Sequence, residues 1–487
     1  MVRTSKINSI RLENFKAFRD TGTIVLKPIT LLVGKNSAGK SSFIKALLAA
    51  SQTVRQEQTD NSDFRLIGDY TNLGTFGDTI HGNDITANFS MHFGVSEENN
   101  DWCLTHSFSG SEDNPLGASI SGVKGFINGQ FFFSARKPLK GQVHQVEPLG
   151  RALGNFVISK TYTPLEVEEE EDINELTDEF RKQIETFQAQ LLEKNLLYRK
   201  DLKNRIFSTN FQIAIKSSQV LNLKGKRGKV YWVMPFDESE PHTSEFGSLE
   251  AASNGLGESL KRILYLAPLR DEPTRGARLA QSSGNRSGIK GENLASMLHT
   301  RLSDADFMEK FNINLKNLGV ADSATTRALY MKDADGKDME TGFIKILIEH
   351  EGTTRSLMDL GFGTSQVLPI VFELSLRRDR IILLEQPELH LHPAAQAEIG
   401  DLLKFSIEQN NQLIVETHSA NLIERLRRLI RTKELTKDDV NIVYIRKDSE
   451  GNSRCDTINF NDDGTFADTW PEDDFFGERE KEIFADW

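Results

Sequence analysis

The sequence predicts an α/β fold, and two kinds of segment support this prediction. The run ITLLV reads as a strand that leads through the loop GKNSAGKS into an amphipathic helix, SSFIKALLAA. The segments RIILLEQ and NNQLIVE each place an uninterrupted apolar run before polar residues, as strands buried on both faces do. A strand, a loop and a helix in this order, together with further buried strands, is an α/β pattern.

Composition excludes several classes of protein. The apolar runs are shorter than the ~18 residues that a membrane span requires, and the first residues lack the pattern of a secretory signal. Cys103 and Cys455 are the two cysteines and have no CxxC spacing, which fits a reducing compartment. The net charge of −12 argues against a surface that coats nucleic acid everywhere, although a local basic groove remains compatible with it. We expect a cytoplasmic protein without a membrane anchor.

The chain divides into four predicted regions. Residues 1–165 form an N-terminal lobe rich in short strands, and residues 207–270 return to that lobe. Residues 166–206 are predicted to form an inserted helical arm, because apolar residues recur on one helical stripe there. These residues are Phe180, Ile184, Phe187, Leu191 and Tyr198. The alternative is a solvated acidic linker leading into an ordinary amphipathic helix. Residues 271–487 form a C-terminal lobe that ends in an acidic tail.

A hairpin is predicted within the C-terminal lobe, where LYMK and FIKILIEH flank the polar segment DADGKDMETG. This segment resembles a calcium-binding loop, but Gly336 is its fourth residue, whereas an EF-hand needs glycine at the sixth position. We therefore expect a turn.

The loop before the first long helix matches GxxxxGK[ST], the phosphate-binding P-loop pattern. Its glycines let backbone amides surround a phosphate at a helix N-terminus. Lys40 is expected to contact the β- and γ-phosphates of ATP, and Ser41 to supply its hydroxyl to Mg²⁺. The predicted nucleotide-binding residues are Gly34, Asn36, Ser37, Ala38, Gly39, Lys40, Ser41 and Ser42. The alternative is a surface turn rich in glycine and lysine.

Two later strands end in residues that suit an ATPase site. Glu385 ends the first of them and is the candidate Mg²⁺ carboxylate. His418 follows the second, where it can contact the γ-phosphate or the attacking water. For a lone histidine, the alternative is a polar residue satisfied at the end of a strand.

The segment GFGTSQ precedes an amphipathic helix and resembles a second anion site. Gly361 and Gly363 leave the first amides of the helix accessible, and a serine or threonine is expected to cap it. One chain does not need two γ-phosphate sites. We therefore expect a homodimer, or a higher homo-oligomer, in which two subunits sandwich two ATP molecules.

The order of these motifs resembles the ABC-type ATPase heads of SMC-like and RecF-like proteins. More closely, it resembles bacterial ATPases related to the overcoming-lysogenization-defect family. The resemblance rests on IRLENFKAF, YLAPLR, GENLASML, GFGTSQVLP, LLEQPELHLHP, ETHSANL and WPEDDFF, and it weakens between residues 100 and 250. It implies an α/β, ABC-type P-loop ATPase head with an inserted helical arm.

The resemblance also implies residue roles. The segment 362–366 takes the place of the signature loop, which adds Gly363, Thr364, Ser365 and Gln366 to the predicted nucleotide contacts. His418 becomes the switch histidine, and Gln386 stands where the catalytic glutamate is usual. Gln52 is a candidate for the Q-loop glutamine.

Gln386 cannot accept a proton, and general-base catalysis typically contributes ~10²- to 10⁴-fold. An amide still orients a water molecule, as in small GTPases, and Glu388 is a candidate substitute carboxylate. We therefore expect slow hydrolysis and a long-lived ATP-bound dimer.

Two other clusters allow alternatives. Glu388, His390 and His392 alternate with other residues in a pattern that suggests zinc. A His-x-His pair without a third spaced ligand is a weak zinc signal, so we prefer a position at a subunit interface. The basic helix NLIERLRRLIRTK and the turn KGKRGK are candidate DNA contacts, with a solvated helix face and a hairpin tip as the alternatives.

The resemblance implies a function in anti-phage defence, in which the ATPase controls a separately encoded nuclease or toxin. The acidic tail is a candidate docking segment for that effector, with a frayed terminus or a self-packing strand as its alternative. A DNA-repair clamp resembling RecF-like proteins and an ATP-dependent scaffold that sequesters a toxin are the other two hypotheses.

Overall fold

The computed structural model describes residues 6–55, 64–97, 100–110, 116–136, 145–147, 221–225, 229–233, 243–279 and 287–470. The predicted arm, residues 166–206, lies outside the described residues, as does the tail after Trp470.

The strands are β1 (Ile7–Phe15), β2 (Phe18–Asp20), β3 (Ile24–Val25), β4 (Ile29–Val33), β5 (Phe64–Arg65), β6 (Phe89–Glu97), β7 (Asn100–Gly110), β8 (Gly117–Ile127), β9 (Gln130–Arg136), β10 (Gln145–Glu147), β11 (Leu221–Gly225), β12 (Lys229–Val233), β13 (Ile263–Leu266), β14 (Ala277–Arg278), β15 (Ser323–Lys332), β16 (Asp338–His350), β17 (Thr353–Ser356), β18 (Ile381–Glu385), β19 (Gln412–Glu416), β20 (Val440–Lys447) and β21 (Ser453–Ile458). The helices are α1 (Lys40–Arg55), α2 (Phe76–Thr79), α3 (Thr243–Lys261), α4 (Leu294–Arg301), α5 (Ala305–Asn317), α6 (Phe362–Leu376), α7 (Pro393–Glu408) and α8 (Ala420–Arg431).

A six-stranded sheet carries the predicted motifs. Its order is β13-β18-β19-β4-β20-β21, and every neighbouring pair is parallel except β20 with β21. The strand that leads into the P-loop, β4, is therefore separated from β18 by β19. All three strands are buried at every residue, as predicted from their apolar runs. Because they are parallel, their carboxyl ends lie at one edge of the sheet.

Both faces of this sheet are covered by hydrophobic cores, which explains the continuous apolar runs. Alternate side chains such as Leu32, Leu383 and Ile414 pack with α1, α3 and the strands of the N-terminal lobe. Their neighbours pack on the opposite face with α4 to α8. The arrangement is the α/β layering that the sequence predicts.

The N-terminal lobe contains a nine-stranded sheet in the order β10-β9-β8-β7-β6-β1-β2, with β3 paired to β1 and β5 to β8. All its pairings are antiparallel. Strands β11 and β12 form a separate antiparallel pair, so the basic segment 224–229 spans their connection.

The predicted hairpin is confirmed, with longer strands than expected. β15 and β16 pair in antiparallel register, and β14 and β17 extend the same sheet. The connection is a turn, as predicted: Oδ1 of Asp333 accepts hydrogen bonds from the amides of Asp335 and Lys337, and Gly336 has a φ of +79°.

No helix among the described residues is long and apolar enough to cross a membrane.

Candidate nucleotide-binding site

The P-loop connects β4 to α1, which confirms the predicted strand, loop and helix order. Gly34 has a φ of +139° and lies against β20, where an added Cβ would be 2.0 Å from the carbonyl oxygen of Ile445. Gly39 has a φ of +119°, and Ser37 also adopts a positive φ. These conformations explain the glycines of the motif, because side chains are strained or obstructed at both positions.

Lys40 lies at the start of α1 with 4% of its surface exposed. Its Nζ donates hydrogen bonds of 2.9 Å to the carbonyl oxygens of Gly34 and Lys35. The ammonium group is thus held inside the curve of the loop, where phosphate oxygens are expected to bind. Of the other predicted residues, Asn36 and Ala38 lie in the loop, and Ser42 lies in the first turn of α1.

Ser41 contacts a residue that the sequence interpretation missed. Its hydroxyl donates a 3.2 Å hydrogen bond to Oε2 of Glu416, the last residue of β19. Glu416 and Glu385 are register partners at the ends of β19 and β18. The two carboxylates therefore lie side by side at the sheet edge that Ser41 faces. Both strands are five residues long and end in glutamate, a pattern that was available in the sequence.

Glu385 has a partner from a third strand. The Tyr265 hydroxyl, on β13, donates a 2.6 Å hydrogen bond to Oε1 of Glu385. Only 8% of Glu385 is exposed. The predicted Mg²⁺ residues, Ser41 and Glu385, thus flank Glu416. Their coordination of a metal stays a prediction.

The carboxylates share a buried, negatively charged region. Burial raises the pKa of Glu416 to about 7, and the neighbouring charge of Glu385 contributes to that increase. Burial also raises the pKa of Glu385 and of Glu388. Grouped carboxylates of this kind bind protons until a cation replaces them.

Gln386 follows Glu385 directly and has a φ of +46°. Its backbone N–H donates a 2.7 Å hydrogen bond to the backbone carbonyl oxygen of Glu416. Its own carbonyl oxygen accepts a 3.3 Å hydrogen bond from Nη1 of Arg270. The backbone at the predicted catalytic position is therefore tied to two other segments in a conformation that is uncommon for a residue other than glycine.

Glu388 and His418, two of the predicted catalytic residues, lie together. Oε1 of Glu388 accepts a 2.7 Å hydrogen bond from the His418 amide. Among the described residues, Glu388 Oε2 and His418 Nε2 are buried and have no hydrogen-bond partner. Burial and the positive charge of Lys40 lower the pKa of His418, which keeps its imidazole neutral near pH 7. Unsatisfied buried polar atoms at a predicted catalytic position are candidates for ligand contacts.

The predicted signature segment begins α6, with one correction. Gly361 is the N-cap and no side chain caps the helix, so the prediction of a serine or threonine cap is wrong. Thr364 and Ser365 lie within the first turn, and the Ser365 hydroxyl donates to the carbonyl oxygen of Phe362. At Gly363, an added Cβ would be 2.5 Å from the carbonyl oxygen of His390. The helix start therefore packs against the segment that follows Glu388.

The side-chain amides of two candidate glutamines form hydrogen bonds with backbone groups. Gln366 accepts a 2.9 Å hydrogen bond from the Arg270 amide and donates one of 3.0 Å to the Arg270 carbonyl oxygen. Gln52, the Q-loop candidate, donates to the carbonyl oxygen of Arg65 and accepts from the Thr71 amide. Nucleotide contact by Gln366 stays a prediction.

The other candidate clusters have local partners. His392 caps α7 by accepting a hydrogen bond from the Ala394 amide, and the ring of His390 packs edge-on against Phe362. Arg425 pairs with Glu398 and Asp401. Arg427 pairs with Glu424 and stacks on Phe466, so two of the four helix arginines are engaged within the chain.

The site has the chemistry that Mg²⁺ and ATP require. Mg²⁺ binds oxygen ligands and usually retains several waters, together with substrate phosphates and one or two protein groups. Ser41, Glu416 and Glu385 supply such oxygens. Within the described part of the chain, no group of three or more His, Cys, Asp and Glu side chains forms a ready metal cage. A site completed by phosphates and water fits that finding.

Comparison with known proteins identifies the family. The family model described as an AAA ATPase domain matches residues 6–423, most of the chain. No curated protein matches the chain.

Three SMC heads are among the solved structures that resemble the chain. An Smc head bound to the C-terminal winged-helix domain of ScpA has 12% identity and a TM-score of 0.38, with coverage of 93% of this chain and 98% of that one. An Smc head with an extended coiled coil, bound to the C-terminal domain of ScpA from Pyrococcus furiosus, has 13% identity, a TM-score of 0.38 and coverage of 93% and 96%. An SMC head domain from Thermotoga maritima has 11% identity, a TM-score of 0.36 and coverage of 93% and 98%.

Proposed function

The chain belongs to the AAA ATPase domain family, and we propose that it is a slow, Mg²⁺-dependent ATPase whose ATP-bound form is a closed homodimer. In this proposal the closed, ATP-bound dimer is the active state of the protein. It controls a separately encoded effector, a nuclease or a toxin, in anti-phage defence. The observation that carries the proposal is the amide of Gln386 beside Glu385, at the sheet edge that also contains Lys40, Ser41 and Glu416.

Different residues at this edge bind different parts of the Mg²⁺-ATP complex. The loop amides and Lys40 bind the phosphates, which replace the carbonyl contacts that Lys40 now makes with Gly34 and Lys35. Ser41 and the adjacent carboxylates hold the cation side of the nucleotide. When bound, Mg²⁺ neutralises phosphate charge and orients the phosphates for attack.

Slow hydrolysis follows from the acceptor groups. Gln386 orients water through its amide but takes no proton. Glu388 has a free buried oxygen, Oε2, and a pKa that burial raises, which makes it the better proton acceptor of the two. Its other oxygen is already committed to the His418 amide. We propose that Gln386 positions water, that Glu388 accepts the proton, and that His418 contacts the γ-phosphate.

Dimerisation is supported by the start of α6. Phe362 is 42% exposed, and no side chain caps the helix, although the Thr364 amide donates a 3.2 Å hydrogen bond to the carbonyl oxygen of Gly361. The start of a helix without a side-chain cap is a common anion site. We propose that Gly363, Thr364 and Ser365 meet the nucleotide held by the other subunit. Each ATP would then lie between one P-loop and the α6 start of the partner subunit.

The effector role rests on the resemblance of the motifs and on the lack of support for a DNA clamp. Two of the four arginines on α8 are held by Glu398, Asp401, Glu424 and Phe466. The net charge of −12 gives no general attraction for phosphates.

The fate of bound ATP tests the proposal. Purified protein is mixed with ATP and Mg²⁺, with and without duplex DNA, and bound nucleotide and released phosphate are followed against a Lys40→Ala control. Retained ATP with little phosphate, independent of DNA, supports the proposal. Rapid, DNA-stimulated turnover that the control lacks contradicts it and favours a DNA-repair clamp. Binding of a toxin without any nucleotide dependence of its activity favours the scaffold.

A further inference from the structure

Arg270 occupies a buried position behind the catalytic edge. It follows β13 and is 3% exposed. Its guanidinium donates to three backbone carbonyl oxygens: to Pro268 at 3.0 Å, to Glu385 at 2.9 Å and to Gln386 at 3.3 Å. Burial lowers the pKa of Arg270 to about 10, so the group remains charged at neutral pH. A buried charge of this kind is costly unless hydrogen bonds compensate it, and these three bonds do so for Nη1 and Nη2, whereas the buried Nε has no hydrogen-bond partner.

Two of the three carbonyls that Arg270 bonds belong to Glu385 and Gln386, the residues on which the proposed chemistry depends. Glu385 and Gln386 mark the point where β18 ends and the chain turns into a left-handed conformation. Such a conformation is strained for a residue with a Cβ. The fork of Arg270 bonds both carbonyls at once, and a lysine would lack that geometry. Arg270 therefore holds the backbone from which the Glu385 and Gln386 side chains project.

Arg270 is itself held by Gln366. The Gln366 side chain is 1% exposed, and its amide bonds both the N–H and the C=O of Arg270. Gln366 lies in the second turn of α6, whose start is the proposed contact with the nucleotide of the other subunit. A continuous chain of hydrogen bonds thus leads from α6 through Arg270 to the end of β18.

We propose that Arg270 is a positioning residue for nucleotide turnover, and that Gln366 transmits the position of α6 to Glu385 and Gln386 through it. The proposal rests on the proposed function, because it assigns Glu385 to the cation side of ATP. It adds a mechanism by which contact at one nucleotide adjusts the other catalytic edge. Neither residue needs to touch ATP for this role.

The test uses Arg270→Lys, which keeps the charge, and Gln366→Met, which keeps the length of the side chain. Two readouts are measured on the full chain: single-turnover phosphate release, and the ratio of ATP affinities in Mg²⁺ and in EDTA. Both variants are expected to lower turnover by about 10- to 100-fold, as misplacement of reacting groups does. They are also expected to reduce the Mg²⁺ enhancement of ATP affinity, a readout that does not require hydrolysis.

A matched control separates positioning from stability. Arg377 is another buried arginine, and it pairs with Glu373 at the end of α6. Arg377→Lys is expected to lower the melting temperature while leaving turnover per folded molecule and the Mg²⁺ enhancement unchanged. Should Arg270→Lys not fold, Gln366→Met provides the same readouts alone.

The double variant tests the connection itself. If Gln366 acts through Arg270, the double variant is expected to lose no more activity than the more impaired of the two single variants. Losses that multiply, or single variants that match the wild type in both readouts, would overturn the proposal. If the wild type shows no ATP binding that depends on Lys40, the proposed function fails first, and the two failures are thus distinguishable.

Discussion

The hydroxyl of Ser41 donates a hydrogen bond to Oε2 of Glu416 across 375 positions of the chain. The contact joins the first turn of α1 to the end of β19 and brings a second carboxylate beside Glu385. In the proposed site, two neighbouring strands therefore supply the carboxylates of the cation side, and Glu416 is the one that bonds the P-loop serine.

Glu416→Ala is expected to weaken Mg²⁺-ATP binding by about 10- to 100-fold, the range found when groups around a metal ligand are removed. ATP affinity in EDTA is expected to change much less, because the phosphates are held by the loop. Calorimetric titration in Mg²⁺ and in EDTA measures both. Glu309→Ala, on an exposed position of α5, is the control. Equal affinity of Glu416→Ala and wild type in Mg²⁺ would exclude Glu416 from the site.

The pH dependence of stability is expected to reveal the same residue. Glu416 has a pKa of about 7 in the folded chain and ionises near 4.5 when unfolded. The folded protein therefore binds the additional proton between these values, and stability falls as the pH rises through that window, by about 3 kcal/mol at most. Glu416→Gln should flatten this part of the profile. The melting temperatures of wild type and Glu416→Gln, measured between pH 4.5 and 8 without nucleotide, test this prediction. Parallel melting-temperature profiles for the two proteins would contradict it.

The sequence predicts the parts of this site that lie within single segments. The P-loop, the buried strands and the hairpin follow from local patterns, and the structure confirms them. Glu416 belongs to no motif of its own and stands two residues before the more conspicuous His418, although parallel strands that end together place their last residues side by side.

Contacts between distant segments could not be predicted from the sequence. Tyr265 meets Glu385 across 120 positions, and Arg270 meets Gln366 across 96. Neither pair has a periodicity or spacing that marks it, because only the order of strands in the sheet brings β13 beside β18.

Gln386→Glu tests why hydrolysis is slow. A carboxylate at this position restores a proton acceptor, and turnover is expected to rise by ~10²- to 10⁴-fold. Glu388→Gln in the wild-type background is expected to lower the residual rate further, because it removes the substitute acceptor. Phosphate release under single-turnover conditions measures both. Unchanged rates in Gln386→Glu would mean that the amide does not limit hydrolysis.

Gly34→Ala is expected to abolish ATP binding. The added Cβ would lie 2.0 Å from the carbonyl oxygen of Ile445, so the loop must move away from β20. Gly129→Ala is the control: its φ is +79°, but nothing lies within 4 Å of the added atom. The control carries only the backbone strain, roughly 1–2 kcal/mol, and should bind ATP normally. Fluorescent-nucleotide titration distinguishes the two, and normal binding by Gly34→Ala would contradict the loop geometry.

The mass of the protein in solution, with ATP and Mg²⁺ and then with ADP, tests the central claim most directly. We predict twice the mass of one chain in ATP, persistence of that species while little phosphate is released, and a single-chain mass in ADP and in Lys40→Ala. A mass that does not change with the nucleotide would contradict a long-lived dimer held by ATP. A dimer that forms with ATP but dissociates within the mixing time would contradict it as well.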